Sequence, residues 1–200
     1  FDDLVVTTPA QVDGSGIIPQ QVLIGDGTAM VQTLKRTHVI SAGGEMGLTI
    51  PESSVQFSGP GINRVMLGRG TQFTNFALGA IVNLSAAARG PAGCGVVFRL
   101  TGETDYTLAY FNQDGEYGVS SRTGDNFSPG VYGQESGFSS GQHHILIIAS
   151  DNTIYYYLDR VLVGTVEASD ATGEVGIAVV NFEGNSTTCS YSNLWLWRWQ

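Results

Sequence analysis

From Phe73 onward, apolar and polar residues alternate with a period of two. Phe76, Leu78, Ala80, Val82 and Leu84 fall on one face of an extended segment. Cys94, Val96, Phe98 and Leu100 repeat the pattern and leave Gly95, Val97 and Arg99 on the opposite face. Tyr106 to Phe111 forms a third run, closed by Asn112-Gln113-Asp114-Gly115 and answered by Glu116 to Arg122; Asp-Gly between alternating runs is a strong hairpin signal. His144 to Ser150 turns at Asp151-Asn152 into Ile154 to Asp159, and Leu162 to Glu167, Val175 to Phe182 and Cys189 to Trp199 follow. The last run sets Trp195, Trp197 and Trp199 against Leu194, Leu196 and Arg198. A Gly/Ser-rich stretch, Thr123 to Gln142, interrupts the alternation, and a loop of that length is expected to be functional or mobile.

Residues 1 to 70 are less regular. Gln21 to Ile24, His38 to Ser41, Val55 to Ser58 and Arg64 to Leu67 read as short strands among glycines, serving as opening strands and edge cover of the same domain. A separate small N-terminal subdomain is the alternative. No segment shows a helical period, so residues 1 to 200 are predicted to form a single all-β, antiparallel two-sheet sandwich without a helix of consequence.

Composition narrows the function classes. Eighteen acidic residues against nine basic ones give a net charge of −9, and Lys35 is the single lysine. Nucleic acid and anionic membrane surfaces both require clustered Lys and Arg, and here the arginines are scattered. The longest apolar run, Ile145 to Ala149, is far shorter than the ~20 residues of a membrane span. The chain begins at Phe1-Asp2-Asp3 with no signal-peptide pattern and reads as a mature or trimmed form. Cys94 and Cys189 are either two buried free thiols or a disulfide tying an early core strand to the last strand. The disulfide is the expectation adopted, and with it an extracellular, cell-surface or periplasmic location.

These runs carry a family likeness. Gly93-Cys-Gly-Val-Val-Phe-Arg99 leads to Asp105-Tyr-Thr-Leu-Ala-Tyr-Phe111 and Asp114-Gly-Glu-Tyr117. His144 to Ala149, Ile154 to Leu158, Gly173 to Ile177 and Tyr191-Ser-Asn-Leu-Trp195 follow. The order resembles the concanavalin A-like lectin/glucanase jelly roll, nearest to bacterial modules allied to laminin-G-like domains and 3-keto-disaccharide hydrolases. The resemblance covers residues ~70 to 199 and implies fold rather than chemistry. Such modules often place Asn-Gly where this chain has Asp159-Arg160, which implies a different hairpin geometry here. Ser192 stands where they often carry an acid, so a structural cation is not implied. The closely alternating carboxylates of the glucanase branch are missing.

No local motif supplies a catalytic set. Glycoside hydrolysis needs two carboxyl groups ~5 to 9 Å apart, and Glu116 has no acidic neighbour two residues on; only a pair assembled across strands, such as Glu116 with Asp159, would serve. Gly137-Phe-Ser-Ser-Gly141 matches Gly-x-Ser-x-Gly, but it precedes a β run, whereas a nucleophile elbow needs a helix behind the serine. His143 and His144 point to opposite faces of a strand and cannot chelate together. Asp125-Asn-Phe-Ser-Pro129 faintly resembles a lectin calcium loop without its partner acid, so no cofactor is expected and calcium is the lesser alternative. Asn83, Asn126 and Asn185 head glycosylation sequons at about the chance frequency.

Strand parity suggests one candidate surface. With the Cys94 face in the core, Arg99 points outward, and Glu116, Ser120 and Arg122, then Tyr155, Tyr157 and Asp159, are expected to share its face. Aromatic rings flanked by Arg and carboxylates are what a sugar site uses, the alternative being a solvated face with cross-strand ion pairs. The tryptophans read as core or edge cover. The sequence thus favours a non-catalytic module binding carbohydrate or another extracellular ligand. A hydrolase or lyase on the same scaffold, or a structural or protein-interaction domain of a larger envelope protein, are the rivals.

Overall fold

Alternation becomes strand wherever one side of the chain can be buried, and in the computed structural model it does so in two layers. The described residues are 27–86, 91–139, 141–168, 172–184 and 186–200. The strand expected at Gln21 to Ile24, the sequon at Asn185 and Ser140 of the Gly-x-Ser-x-Gly match lie outside them.

One sheet, here sheet A, has the strand order β1 (Glu45–Phe57), β12 (Thr187–Trp199), β3 (Asn75–Ala86), β8 (Gly141–Ser150), β9 (Thr153–Leu158) and β10 (Val161–Glu167). Sheet B runs β2 (Gly61–Leu67), β11 (Glu174–Asn181), β4 (Ala92–Leu100), β5 (Tyr106–Asn112), β6 (Glu116–Thr123) and β7 (Asn126–Gln134). Every pairing is antiparallel. The inward residues of both sheets form one apolar core in which Phe76, Leu78, Ile147, Tyr156 and Leu196 meet Val96, Phe98, Phe111, Ile177 and Val179.

A covalent and a hydrogen-bonded link cross that core side by side. Cys94 on β4 and Cys189 on β12 form a disulfide with Cα atoms 5.5 Å apart. Their separation of 95 residues constrains the unfolded chain by roughly 4–5 kcal/mol in the entropic model. Tyr191, two residues on, reaches across to sheet B, where its hydroxyl accepts from Gly95 N at 3.1 Å and lies 2.6 Å from Gly95 O and 2.8 Å from Ala178 O. Burial pushes this phenol's pKa well above its ordinary value. At one side the edge strands interlock: the Val131 side chain occupies the space a Cβ on Gly164 would need, and Val166 does the same at Gly130.

Four expectations need correction. The first is the absence of a helix. Thr28–Arg36 is an α-helix, α1, whose Met30, Val31 and Leu34 are buried. It ends in a Schellman motif, with Val39 N bonded to Leu34 O and His38 N to Lys35 O. His38 takes the left-handed position at φ 59°, so the expected strand from His38 to Ser41 is a helix stop. Lys35 and Arg36 in the last turn suit the helix dipole. Second, the interval read as a loop contains β7, an exposed edge strand pairing with β6 from Thr123↔Asn126 to Glu116↔Gln134. Pro129 is tolerated there because edge strands have free N–H positions.

The third is Arg99. The register between β4 and β11 slips between Glu174 and Gly176, and Arg99 adopts φ 53°. Its side chain is 1% exposed and its guanidinium donates to Asp151 O and Ala168 O, carbonyls of sheet A connections. A bulge residue does not keep the parity of its strand. Fourth, the Asp159-Arg160 turn keeps the hairpin geometry that Asn-Gly would give. Leu158 pairs with Val161, and both turn residues have positive φ, 46° and 76°, as in a type I′ turn.

Candidate functional site

The expected ligand face does not exist as a single surface, because its members lie on two sheets. Tyr155 and Tyr157 belong to the outer face of sheet A, which α1 covers; Tyr157 is buried in a second apolar cluster with Met30, Leu34, Leu146 and Trp195. Trp195 fills the slot between helix and sheet. A Cβ on Gly79 would lie 2.5 Å from its indole, and one on Gly27, the left-handed N-cap at φ 84°, would overlap the ring. The tryptophans are therefore cover and core, with Lys35 Nζ seated 4.0 Å over the Trp197 ring.

Asp159 is occupied by its neighbours. Its Oδ2 lies 2.6 Å from His143 Nδ1 and its Oδ1 accepts from His144 N at 2.8 Å. Burial raises the pKa of this carboxyl, but the hydrogen bonds from His143 and His144 outweigh it and hold the group well below the usual carboxylate range. His143 points inward against the rings of Phe111 and Phe138, and its Nε2 has no hydrogen-bond partner among the described residues. Asp159 thus pins the β9–β10 turn to the start of β8, and the cross-strand pair of Glu116 with Asp159 is not assembled. Phe138 of the Gly-x-Ser-x-Gly match is packed on Tyr117 in a short 3-10 turn, and Ser139 Oγ donates to Ser136 O; β8 follows instead of a helix. Among the described residues no three His, Cys, Asp or Glu side chains gather as metal ligands.

Glu116 and Arg122 do share a surface, the outer face of sheet B. Register puts Tyr110, Gly118 and Tyr132 in one cross-strand row, Asn112 and Glu116 beside it, and Tyr106, Arg122 and Phe127 farther along. The β5–β6 hairpin sets the first group. Asn112, fully buried, accepts from Asp114 N and Glu116 N through Oδ1 and donates from Nδ2 to Glu116 Oε2 at 2.7 Å. The Tyr132 hydroxyl donates to Glu116 Oε1 at 2.6 Å. That hydrogen bond, more than desolvation or charge, raises the Tyr132 pKa, while burial and then the Glu116 charge raise that of Tyr110. Gly118 lets the Tyr110 ring lean over β6: a Cβ there would meet Val131 O at 2.9 Å and Tyr110 Cε1 at 3.1 Å. Tyr132 is 63% exposed.

Each carboxylate oxygen of Glu116 holds one donor and keeps lone-pair capacity for another. The result is a fixed acceptor beside two phenol rings, one of them resting over Gly118. Toward β2 the same face is filled by Val97, Tyr106, Leu108, Ala178 and Val180. Sequence reasoning missed both tyrosines. Tyr110 carries a legible signal, since it alternates with Phe111 and faces away from the core; Tyr132 does not, because its strand reads as loop.

No family model and no curated protein matches the sequence. Solved structures do. The carbohydrate binding module CBM66 from Bacillus subtilis aligns with a TM-score of 0.58 at 15% identity, covering 76% of this chain and 90% of that one. The Bacillus licheniformis β-glucanase aligns with 0.54 at 12%, covering 74% and 79%. A fructosyltransferase from A. japonicus gives 0.55 at 12%, with 82% of this chain against 28% of that one. At these identities the likeness is one of fold. The protein has the jelly-roll sandwich of the concanavalin A-like lectin/glucanase class, a fold it shares with a carbohydrate binding module. No helix among the described residues is long and apolar enough to cross a membrane.

Proposed function

We propose that this protein is a non-catalytic carbohydrate-binding module acting outside the cytoplasm, and that it holds a glycan on the outer face of sheet B. Tyr110 and Tyr132 offer ring faces to the apolar side of a sugar, and Glu116 accepts from its hydroxyls. The observation that carries this reading is the preset Glu116 carboxylate, fixed by Tyr132 at 2.6 Å and Asn112 at 2.7 Å in reach of two phenol rings. A fold shared with a carbohydrate binding module supports it. The Cys94–Cys189 disulfide favours an oxidising compartment.

A hydrolase on this face would need a second carboxyl group within ~5 to 9 Å of Glu116. Asp159, the partner weighed from sequence, belongs to a turn of sheet A and is bound to two histidines. A glycan array followed by calorimetric titration of the strongest hit tests the proposal. Glu116→Gln is expected to weaken that binding at least tenfold, without turnover of the ligand by the parent protein. An array with no hit, or release of reducing sugar that Glu116→Gln abolishes, would refute it.

A further inference from the structure

At the far end of the same face lies a hollow of about 340 Å³ whose lining includes Asn63, Arg64, Glu103, Tyr106, Arg122 and Phe127. The chain has nine basic residues in 200, and two of them converge here. Each guanidinium is steadied by an aromatic ring: Arg64 lies 5.1 Å over Tyr106 and Arg122 lies 5.2 Å over Phe127. Their polar partners are chiefly backbone carbonyls. Arg64 Nη2 donates to Glu103 O at 2.9 Å, and Arg122 Nε donates to Gly124 O at 2.8 Å. The nearest carboxylate to Arg122, Asp125, is 3.9 Å from Nη2 and fully exposed, a weak pair. One carboxylate, Glu103, stands among the lining residues and Asp125 lies outside them, so the lining itself sets two guanidiniums against one acid.

A neutral sugar asks for no such pair of convergent charged donors. Guanidinium forks match carboxylate and sulfate oxygens, with two parallel N–H donors to one group. Glu116 and Arg122 mark opposite ends of β6, roughly 20 Å apart at about 3.3 Å per residue. A ligand reaching both ends therefore comprises several sugar rings. Resting on the carbohydrate reading above, we infer that the hollow between Arg64 and Arg122 takes the anionic group, carboxylate or sulfate, of an acidic oligosaccharide laid along this face.

Calorimetric titration of the full chain with tetragalacturonate, a heparin-derived tetrasaccharide and neutral cellotetraose tests this. At least one acidic ligand is expected to bind tenfold or more tightly than cellotetraose, with Arg122→Met and Arg64→Met each bringing its affinity down toward the neutral value. Preference for the galacturonate assigns the carboxylate, and preference for the heparin fragment the sulfate. Urea unfolding of the two variants shows that the fold is intact, and Arg122→Met suffices where Arg64→Met loosens the β4–β5 connection. Acidic ligands that bind no better than cellotetraose, or keep their advantage in Arg122→Met, overturn the inference. Neutral binding that depends on Tyr132 without any acidic preference overturns it alone and leaves the carbohydrate reading standing; failure of every saccharide overturns both.

Discussion

Sheet A carries Trp195, Trp197 and Trp199 on its outer face and lays α1 across them, so that Met30, Val31 and Leu34 close a second apolar core. Sheet B carries tyrosines on its outer face and, at β6 and β7, leaves them beside a glycine and a fixed carboxylate. Aromatic residues are abundant on both faces and their roles differ with what lies over them. Glycine shows the same division. Gly79 lets an indole that α1 covers sink onto sheet A, whereas Gly118 lets the Tyr110 ring lean beside the exposed Tyr132. An outward aromatic by parity is therefore no guide to a binding surface until the cover is known.

That contrast can be broken most severely at Trp195. Replacing this 4%-exposed residue by Ala should destabilise the protein by about 3–5 kcal/mol in urea unfolding; a loss under 1 kcal/mol would mean that α1 does not seal sheet A. Gly79→Ala probes the same slot from the strand side. It should cost about 1–3 kcal/mol, because the indole must move, and an unchanged midpoint would refute the close packing.

Acid sharpens the comparison at Asp159, which is held on the sheet A side. The folded-state pKa of its carboxyl lies below the unfolded value of about 4, so its stabilisation is complete above that pH and is lost as pH falls toward the folded value. The unfolding free energy of the parent protein should therefore drop below about pH 4 more steeply than that of Asp159→Asn, which titrates no carboxyl there. Parallel curves would contradict the pairing with His143 and His144. A smaller effect of opposite sign is expected at the adjoining turn residue. Arg160→Gly relieves a left-handed backbone at φ 76° and should stabilise by up to about 1 kcal/mol, read from the thermal midpoint.

Much of this contrast was out of reach of the sequence, for identifiable reasons. The ten strands apart from β1 and β7 follow directly from period-two alternation or short apolar runs, as do the end of β1 from Val55 and the face that buries Cys94. Helix α1 is hidden because its apolar stripe is only Met30, Val31 and Leu34 and its left-handed stop is His38 rather than glycine. β7 is hidden because an exposed edge strand containing Pro129, Gly130 and Gly133 has no buried side to alternate with. Arg99 defeats parity through a bulge, and Asp159 is settled by histidines sixteen and fifteen residues away. Glu116 and Arg122 fell on a common face because β6 is regular where they stand, but the tyrosines that complete that face depended on β5 parity and on a strand that reads as loop.

The smallest expected effect on stability belongs to Tyr132, and it bears most directly on the claim that sheet B is the open, ligand-facing side. Tyr132→Ala removes an exposed ring, so urea unfolding should change by no more than about 0.5 kcal/mol, while calorimetric affinity for the glycan bound by the parent protein should fall at least tenfold. Unaltered glycan affinity in a stably folded Tyr132→Ala protein would contradict the account.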